Sequence, residues 1–365
     1  MALTFDLAVI GGGISGVSAA LAARKRDARV CLIRVSPGAT ALCSGAWLGP
    51  LRAELRDSLR AAGLSLMPAE RPLAHERGHT LRADFAGASH AGVAWGDATV
   101  VGIAGLPHFN AQTLARTWQP DAPLRAHTLE LPGTPAAGWS APSLAAYIER
   151  APALLVQQLE NAGIRNALLP AILGIERVGD VTDELRRAGI HASEALAATP
   201  TIPGWRLQRA IDTLIVDAGI TVLTGAASLK RASGRRVEQI AVGEDTVTAQ
   251  NVVLATGKYL GGGIQANDVF SESVLELPVW VEQLGDVFTS PDALTLTDPV
   301  RTADQPLMSA GVHVNDEQKP VDRARDVVYH NVFVAGTVRA DWSAAGRGLG
   351  HCAEDGWRAG ERASA

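Results

Sequence analysis

The first forty positions fall into three successive patterns. Residues 5–10 (FDLAVI) form a short apolar run, which predicts a buried strand. Three glycines interrupt it. Residues 17–26 (VSAALAARKR) then have helical composition and period, and residues 29–33 (RVCLI) are again β-rich. Strand, glycine turn, helix and strand within about thirty residues predict a βαβ unit.

Residues 63–202 carry their own α/β rhythm. Residues 99–103 (TVVGI) read as a strand, and a turn at Gly105, Leu106 and Pro107 leads to a helix around 110–118. Residues 124–131 alternate like a strand. Residues 143–161 read as one long helix, capped by Ser143 and kinked at Pro152. A short strand at 167–170 and a helix at 181–187 follow. Residues 199–204 (TPTIPG) predict a stiff linker, and residues 205–218 an amphipathic helix.

The remaining β segments are expected at 221–224, 237–242, around Val247, and at 251–257 (NVVLATG). A last buried strand is expected at 331–336 (NVFVAG). Residues 346–351 (GRGLGH) lead into a final helix.

Composition narrows the possibilities. A chain of 365 residues, 47% apolar and 19% charged, has enough apolar surface for a large core and is not a disordered tail. The net charge is −5, from 33 basic and 38 acidic residues, which argues against nucleic acid as the main partner. Cys31, Cys43 and Cys352 have no C-x-x-C spacing, so the chain holds neither a disulfide framework nor a self-contained iron–sulfur or zinc site. No resolving cysteine pairs with Cys352. Residues 7–23 are uncharged, but Asp6 precedes them and glycines interrupt them. The expectation is a cytoplasmic chain that meets a membrane only indirectly, through a partner.

The candidate chemistry lies at three strand ends. Gly11, Gly13 and Gly16 stand at G-x-G-x-x-G spacing: Gly11 for the turn, Gly13 for backbone approach to a pyrophosphate, Gly16 for close helix packing. Ile14 and Ser15 lie between them, at the start of a helix whose free N–H groups attract phosphate. The second strand ends in Arg34, where an acidic residue usually binds a ribose hydroxyl. Ser44 and Gly45 lie in a small-residue loop of the kind that passes along a cofactor. Ala255, Thr256 and Gly257 end a second strand; Gly336 ends a third, and Gly348 and Gly350 open the last helix.

Together these predict an α/β fold: a Rossmann-like flavin-binding domain of the two-dinucleotide-fold type with an inserted smaller α/β lobe. The expected flavin domain is discontinuous, 1–62, 203–262 and 325–365. The lobe is 63–202, and 263–324 is a returning segment packed between them. For catalysis the candidates are Arg206, as a cation for a substrate phosphate, His351, as a base near the flavin ring, and Arg347, to neutralise reduced flavin. No metal site is expected.

The motifs VIGGGISG, CSGAWLGPL, VVGIAGLPHFNAQTLA, LLPAILG, TPTIPGWRLQRAI, VVLATGKYLGGGI and HNVFVAGTV with GRGLG occur in this order. In that order they resemble the family of the B subunit of anaerobic glycerol-3-phosphate dehydrogenase, over nearly the full length. The resemblance implies a flavoprotein working beside a larger catalytic flavoprotein subunit and an iron–sulfur subunit. Together they would oxidise sn-glycerol 3-phosphate to dihydroxyacetone phosphate and pass electrons toward quinone. It also implies FMN, whereas the glycine loop alone points to FAD; both stay open at this point. The alternatives are a flavoprotein of the same build acting on another small substrate, or a non-catalytic flavin-bearing assembly subunit.

Overall fold

A computed structural model describes residues 2–90, 97–118, 124–198, 201–266, 270–281, 297, 305–340, 342 and 347–365. The chain divides into two compact units. The first holds Met1–Thr40, Gly49–Leu55 and Ile211–Ala365; the second holds Ala41–Leu48 and Arg56–Ala210.

The first unit is built on a seven-stranded sheet among the described residues. Its centre is the strand Ala2–Ile10, flanked in parallel by Val30–Arg34 and Asp245–Leu254. Thr221–Thr224 extends one edge in parallel, and the hairpin Ala227–Ser233 with Arg236–Val242 extends the other. Val332–Val334 pairs in parallel with the far end of Asp245–Leu254. The two β segments expected at Val247 and 251–257 are thus one ten-residue strand. Its alternating first half is half-buried beside the hairpin, and its last three residues, Val252, Val253 and Leu254, are buried.

The register sets three glycine turns in a row. Ile10 pairs with Leu254, and Leu254 with Val334. The ladder continues one step past the strands, with Ala255 N–H to Ile10 O at 2.8 Å and Ala335 N–H to Leu254 O at 2.9 Å. Gly11, Gly257 and Gly336 therefore leave one sheet edge side by side, each with positive φ.

Two helices cover this sheet, Ile14–Arg24 and Leu349–Ala363. They pack through small residues: a Cβ on Gly356 would lie 1.9 Å from Ser15 O, and one on Gly360 2.2 Å from Ala19 O. Only glycine at these two positions lets the backbones approach so closely.

The second unit carries a four-stranded parallel sheet in the order His191–Glu194, Asn166–Leu169, Thr99–Ile103, Arg125–Leu129. Its core gathers Leu144, Ile148, Leu155, Leu159, Leu169 and Leu185 from helices and strands. The long helix expected at 143–161 is two helices, Ala141–Arg150 and Pro152–Asn161. Pro152 lacks an N–H and its ring excludes a helical turn before it, so Ala151 leaves the helical region at φ −139°. The N-cap is Ser140, not Ser143. Ser140 Oγ accepts from Ser143 N–H, and Ser143 Oγ accepts from Ser140 N–H, a reciprocal capping box. Of the expected linker at 199–204, residues 199 and 200 lie outside the described residues. The rest is mostly helix, since Ile202–Asp217 begins on Pro203's favoured first turn.

Candidate functional site

The first glycine turn is held from the neighbouring strand. Gly11 has φ +125°, and a Cβ there would lie 2.1 Å from Ala255 O. The tight turn expected of Gly11 is thus joined by a close approach to the Ala255–Thr256–Gly257 segment. Gly16 serves the packing role expected of it, since a Cβ would fall 2.0 Å from Gly11 O. Gly13 is the N-cap of Ile14–Arg24, with φ −78°, and nothing but Thr40 Oγ1 approaches the place of its missing Cβ.

That helix start suits an anion. It has no side-chain cap from Gly13 and no acidic residue in its first turn. The first N–H groups of any helix lack intrahelical acceptors, and the helix dipole adds positive potential there. Thr40 Oγ1 accepts from Ile14 N–H at 2.9 Å, which ties the loop after the second strand to the same turn. Sequence reasoning missed Thr40; its signal was a lone hydroxyl in a run of small residues.

Two hydroxyls in this region are buried with no partner among the described residues, Ser15 Oγ and Thr256 Oγ1. Ser15 lies under the Gly336 turn, 2.8 Å from where that glycine's Cβ would stand. Buried hydroxyls are normally satisfied. A helix start with no acidic residue in its first turn, unpaired hydroxyls and converging glycine turns fit a phosphate-bearing dinucleotide.

Arg34 ends its strand as expected, but its guanidinium is engaged: Nη1 meets Asp212 Oδ1 at 2.8 Å. Asp212, from the helix Ile202–Asp217, was not a sequence candidate.

The third turn is fixed by Asp355, also missed, because an acidic residue on an amphipathic helix normally faces water. Asp355 is buried. Its Oδ2 accepts from Gly336 N–H at 2.7 Å, and its Oδ1 pairs with Arg339 and accepts from Gln318. Gly348 is the N-cap of Leu349–Ala363, again with no acidic residue in the first turn, and Gly350 packs on the Gly49 and Pro50 carbonyls. His351 Nδ1 accepts from Gly348 N–H at 3.3 Å. Arg347 is exposed, its guanidinium 5.3 Å from the centre of the Trp342 ring. Burial, with Asp355 adding to it, pushes the Cys352 thiol up to about 12, so it is not a ready nucleophile.

Ser44, Gly45 and Arg206 belong to the second unit. Ala197 N–H donates to Ser44 O, and Thr201 Oγ1 to Cys43 O at 2.6 Å. His90 donates from Nδ1 to Glu194 O, and its Nε2 stands 2.7 Å from the place of a Cβ on Gly45. Arg206 is where the sequence expectation needs correction. It is buried, and its guanidinium is consumed by Glu194 through both Nη atoms, by Gly174 O and by Ser89 Oγ. Burial alone would raise the Glu194 carboxyl, but Arg206 beside it, with His90 and Ser89, holds it down to about 2. This is an internal ion pair at the carboxyl end of the sheet, not a cation offered to a substrate phosphate. The sequence pattern could not separate the two, because the partner lies 12 positions away on a strand not foreseen at 191–194.

Among the described residues there is no cluster of His, Cys, Asp or Glu that would hold a metal, and no helix long and apolar enough to cross a membrane.

Residues 6–279 match the family described as FAD binding domain. Over its whole length the chain is similar to a Halobacterium salinarum protein named as a probable B subunit of anaerobic glycerol-3-phosphate dehydrogenase. The two are 25% identical over 431 residues, covering 100% of this chain and 99% of that one. The B subunit of the same enzyme in Actinobacillus pleuropneumoniae is 27% identical over 204 residues, covering 54% of this chain and 46% of that one. The family resemblance read from the motifs is borne out by these relatives. Among solved structures, 3-ketosteroid-delta4-(5alpha)-dehydrogenase from Rhodococcus jostii RHA1 aligns with 100% of this chain and 97% of its own. It is 12% identical with a TM-score of 0.42.

Proposed function

Because this chain belongs to the FAD binding domain family, we propose that it is the flavoprotein subunit of a dehydrogenase that oxidises sn-glycerol 3-phosphate to dihydroxyacetone phosphate and sends electrons toward quinone through partner subunits. The coarser description, a flavoprotein oxidoreductase whose cofactor is FAD, follows from the family. The observation that carries the finer reading is the full-length similarity to a relative named as the B subunit of such an enzyme.

FAD, when bound, supplies a hydride acceptor for the alcohol carbon. The start of Ile14–Arg24, with Gly13, Ile14 and Ser15, is proposed to hold its phosphates, and the turns at Ala255–Gly257 and Gly336 to line it. The start of Leu349–Ala363, at Gly348 and Gly350, would place a positive dipole end beside the ring and favour negative charge there. Arg347 would add a full charge. His351 is the proposed proton carrier. With Nδ1 accepting from Gly348, the neutral ring carries its proton on Nε2 and serves as a donor. It takes a proton at Nδ1 only by giving up the Gly348 bond.

One observation favours a second reading, a flavin-bearing subunit that does not itself bind the substrate: Arg206, the expected phosphate cation, is spent on Glu194. Anaerobic addition of sn-glycerol 3-phosphate to the purified, flavin-loaded chain separates the two. Bleaching of the flavin absorbance supports oxidation on this chain. An unchanged spectrum, with bleaching once the partner subunits are added, supports the relay.

A further inference from the structure

We propose that Asp212 supplies the carboxylate that binds the adenosine ribose of FAD, and that Arg34 is the positioning residue that holds it there. The inference rests on the reading that the start of Ile14–Arg24 receives the FAD phosphates.

In a dinucleotide-binding βαβ unit, an acidic side chain at the end of the second strand accepts the ribose hydroxyls. Here that strand ends in Arg34, and Val35, Ser36, Pro37 and Gly38 after it bring no carboxylate. The side chain of Arg34 does not run out into solvent. It lies along the glycine turn, with Cδ 2.8 Å and Cβ 3.1 Å from the place a Cβ on Gly12 would occupy. Only glycine at position 12 leaves room for this course. The guanidinium then meets Asp212, Nη1 to Oδ1 at 2.8 Å.

The helix that carries Asp212 leads into the sheet edge beside the second strand. The strand that follows its helix, Thr221–Thr224, pairs in parallel with Val30–Arg34, and Thr224 stands opposite Arg34. Gly225 N–H donates to Arg34 O at 3.0 Å. The Arg34 side chain thus ties a carboxylate from a neighbouring element to the end of the second strand, where the local sequence has none.

The chemistry of the pair is specific. An arginine alone at this place would call for a phosphate. Paired with Asp212 its charge is neutralised, which favours an uncharged hydroxyl donor. A carboxylate has about four acceptor sites, so its bond to Arg34 does not exclude a ribose diol. The side chains are 22% and 46% exposed, so a ligand can reach them.

The test compares two flavins. FMN carries the ring and a phosphate but no adenosine ribose. Apoprotein is titrated with FAD and with FMN, and binding is read from flavin fluorescence, with circular dichroism and a thermal melt on each variant. Asp212→Asn is expected to weaken FAD about ten- to hundredfold, the cost of a hydrogen bond to a charged group. FMN affinity should stay within about twofold. Asp212→Glu should recover part of the loss, and Arg34→Gln should weaken FAD less than Asp212→Asn does. Equal losses for both flavins, or unchanged FAD affinity in Asp212→Asn, overturn the assignment of Asp212 while leaving the flavin site standing. Failure of the wild-type apoprotein to bind FAD overturns the flavin site, and this inference with it.

Discussion

Glycines that look alike in the motif do different work. Gly11 is locked by its positive φ and by Ala255 O at 2.1 Å from the absent Cβ, so Gly11→Ala strains the backbone and the strand pairing together. We expect it to cost about 2–4 kcal/mol in a denaturant melt, with or without flavin. Gly13 has an ordinary φ and a single contact at 3.3 Å, so Gly13→Ala should melt within about 0.5 kcal/mol of wild type while retaining less flavin on gel filtration. Full flavin occupancy in Gly13→Ala would reassign that turn. Arg206 offers a second contrast. Arg206→Ala leaves the Glu194 carboxylate buried without its cation, and the expected loss is about 3–5 kcal/mol. A purely substrate-binding arginine would raise KM and leave the melt untouched. Since the folded carboxyl sits near 2, against 4.5 for the free group, its contribution is present above about pH 4.5 and lost as pH falls through 2. Glu194→Gln should remove that part of the acid dependence.

At the scale of elements, one short strand carries an opposite dependence. Glu272 ends Phe270–Glu272 fully buried, its carboxylate accepting from Leu275 and Val274 N–H at 2.7 and 2.9 Å. Burial raises the carboxyl to about 7 against the downward pull of those two bonds. The folded state then holds the proton more tightly than the unfolded chain. The stabilisation is complete below about pH 4.5 and lost as pH rises through 7, on the order of 3 kcal/mol in total. Urea midpoints of wild type and Glu272→Gln, measured at pH 5 and pH 8, test this. The difference between the two proteins should change with pH, the glutamine variant showing the flatter decline. The difference is the proper readout because His75, lowered to about 4 by burial and then by His79 and Arg77, gains stability in the opposite direction as pH rises. An unchanged difference would mean that Glu272 keeps its charge in the fold.

On the scale of the whole molecule, the chain brings no cysteine set for an iron–sulfur relay, and burial pushes all three thiols up to between about 11 and 12. Electrons taken by its flavin therefore need another acceptor. We expect the isolated, flavin-loaded chain to reoxidise slowly in air and to accelerate when the proposed iron–sulfur and larger flavoprotein partners are added. Steady-state turnover with oxygen alone at about 1 s⁻¹ or faster, an ordinary enzyme rate, would show that it works without them.

Periodicity and glycine spacing were enough to place the strand–turn–helix at 5–26 and the three strand ends at Gly11, Gly257 and Gly336, because such signals are local and the chain reads them within a few residues; the family came from the resemblance of ordered motifs along nearly the whole chain. The cuts at 41–48 and 49–55 between the two units, by contrast, follow no change of composition. Pairings across the chain were likewise invisible: Arg34 with Asp212 across 178 positions, Arg206 with Glu194, Gly336 with Asp355. A charged residue on a helix reads the same whether it faces water or a buried partner. Its role is decided by what the fold places within about 3 Å of it, the reach of a hydrogen bond, and only the tertiary structure brings those partners together.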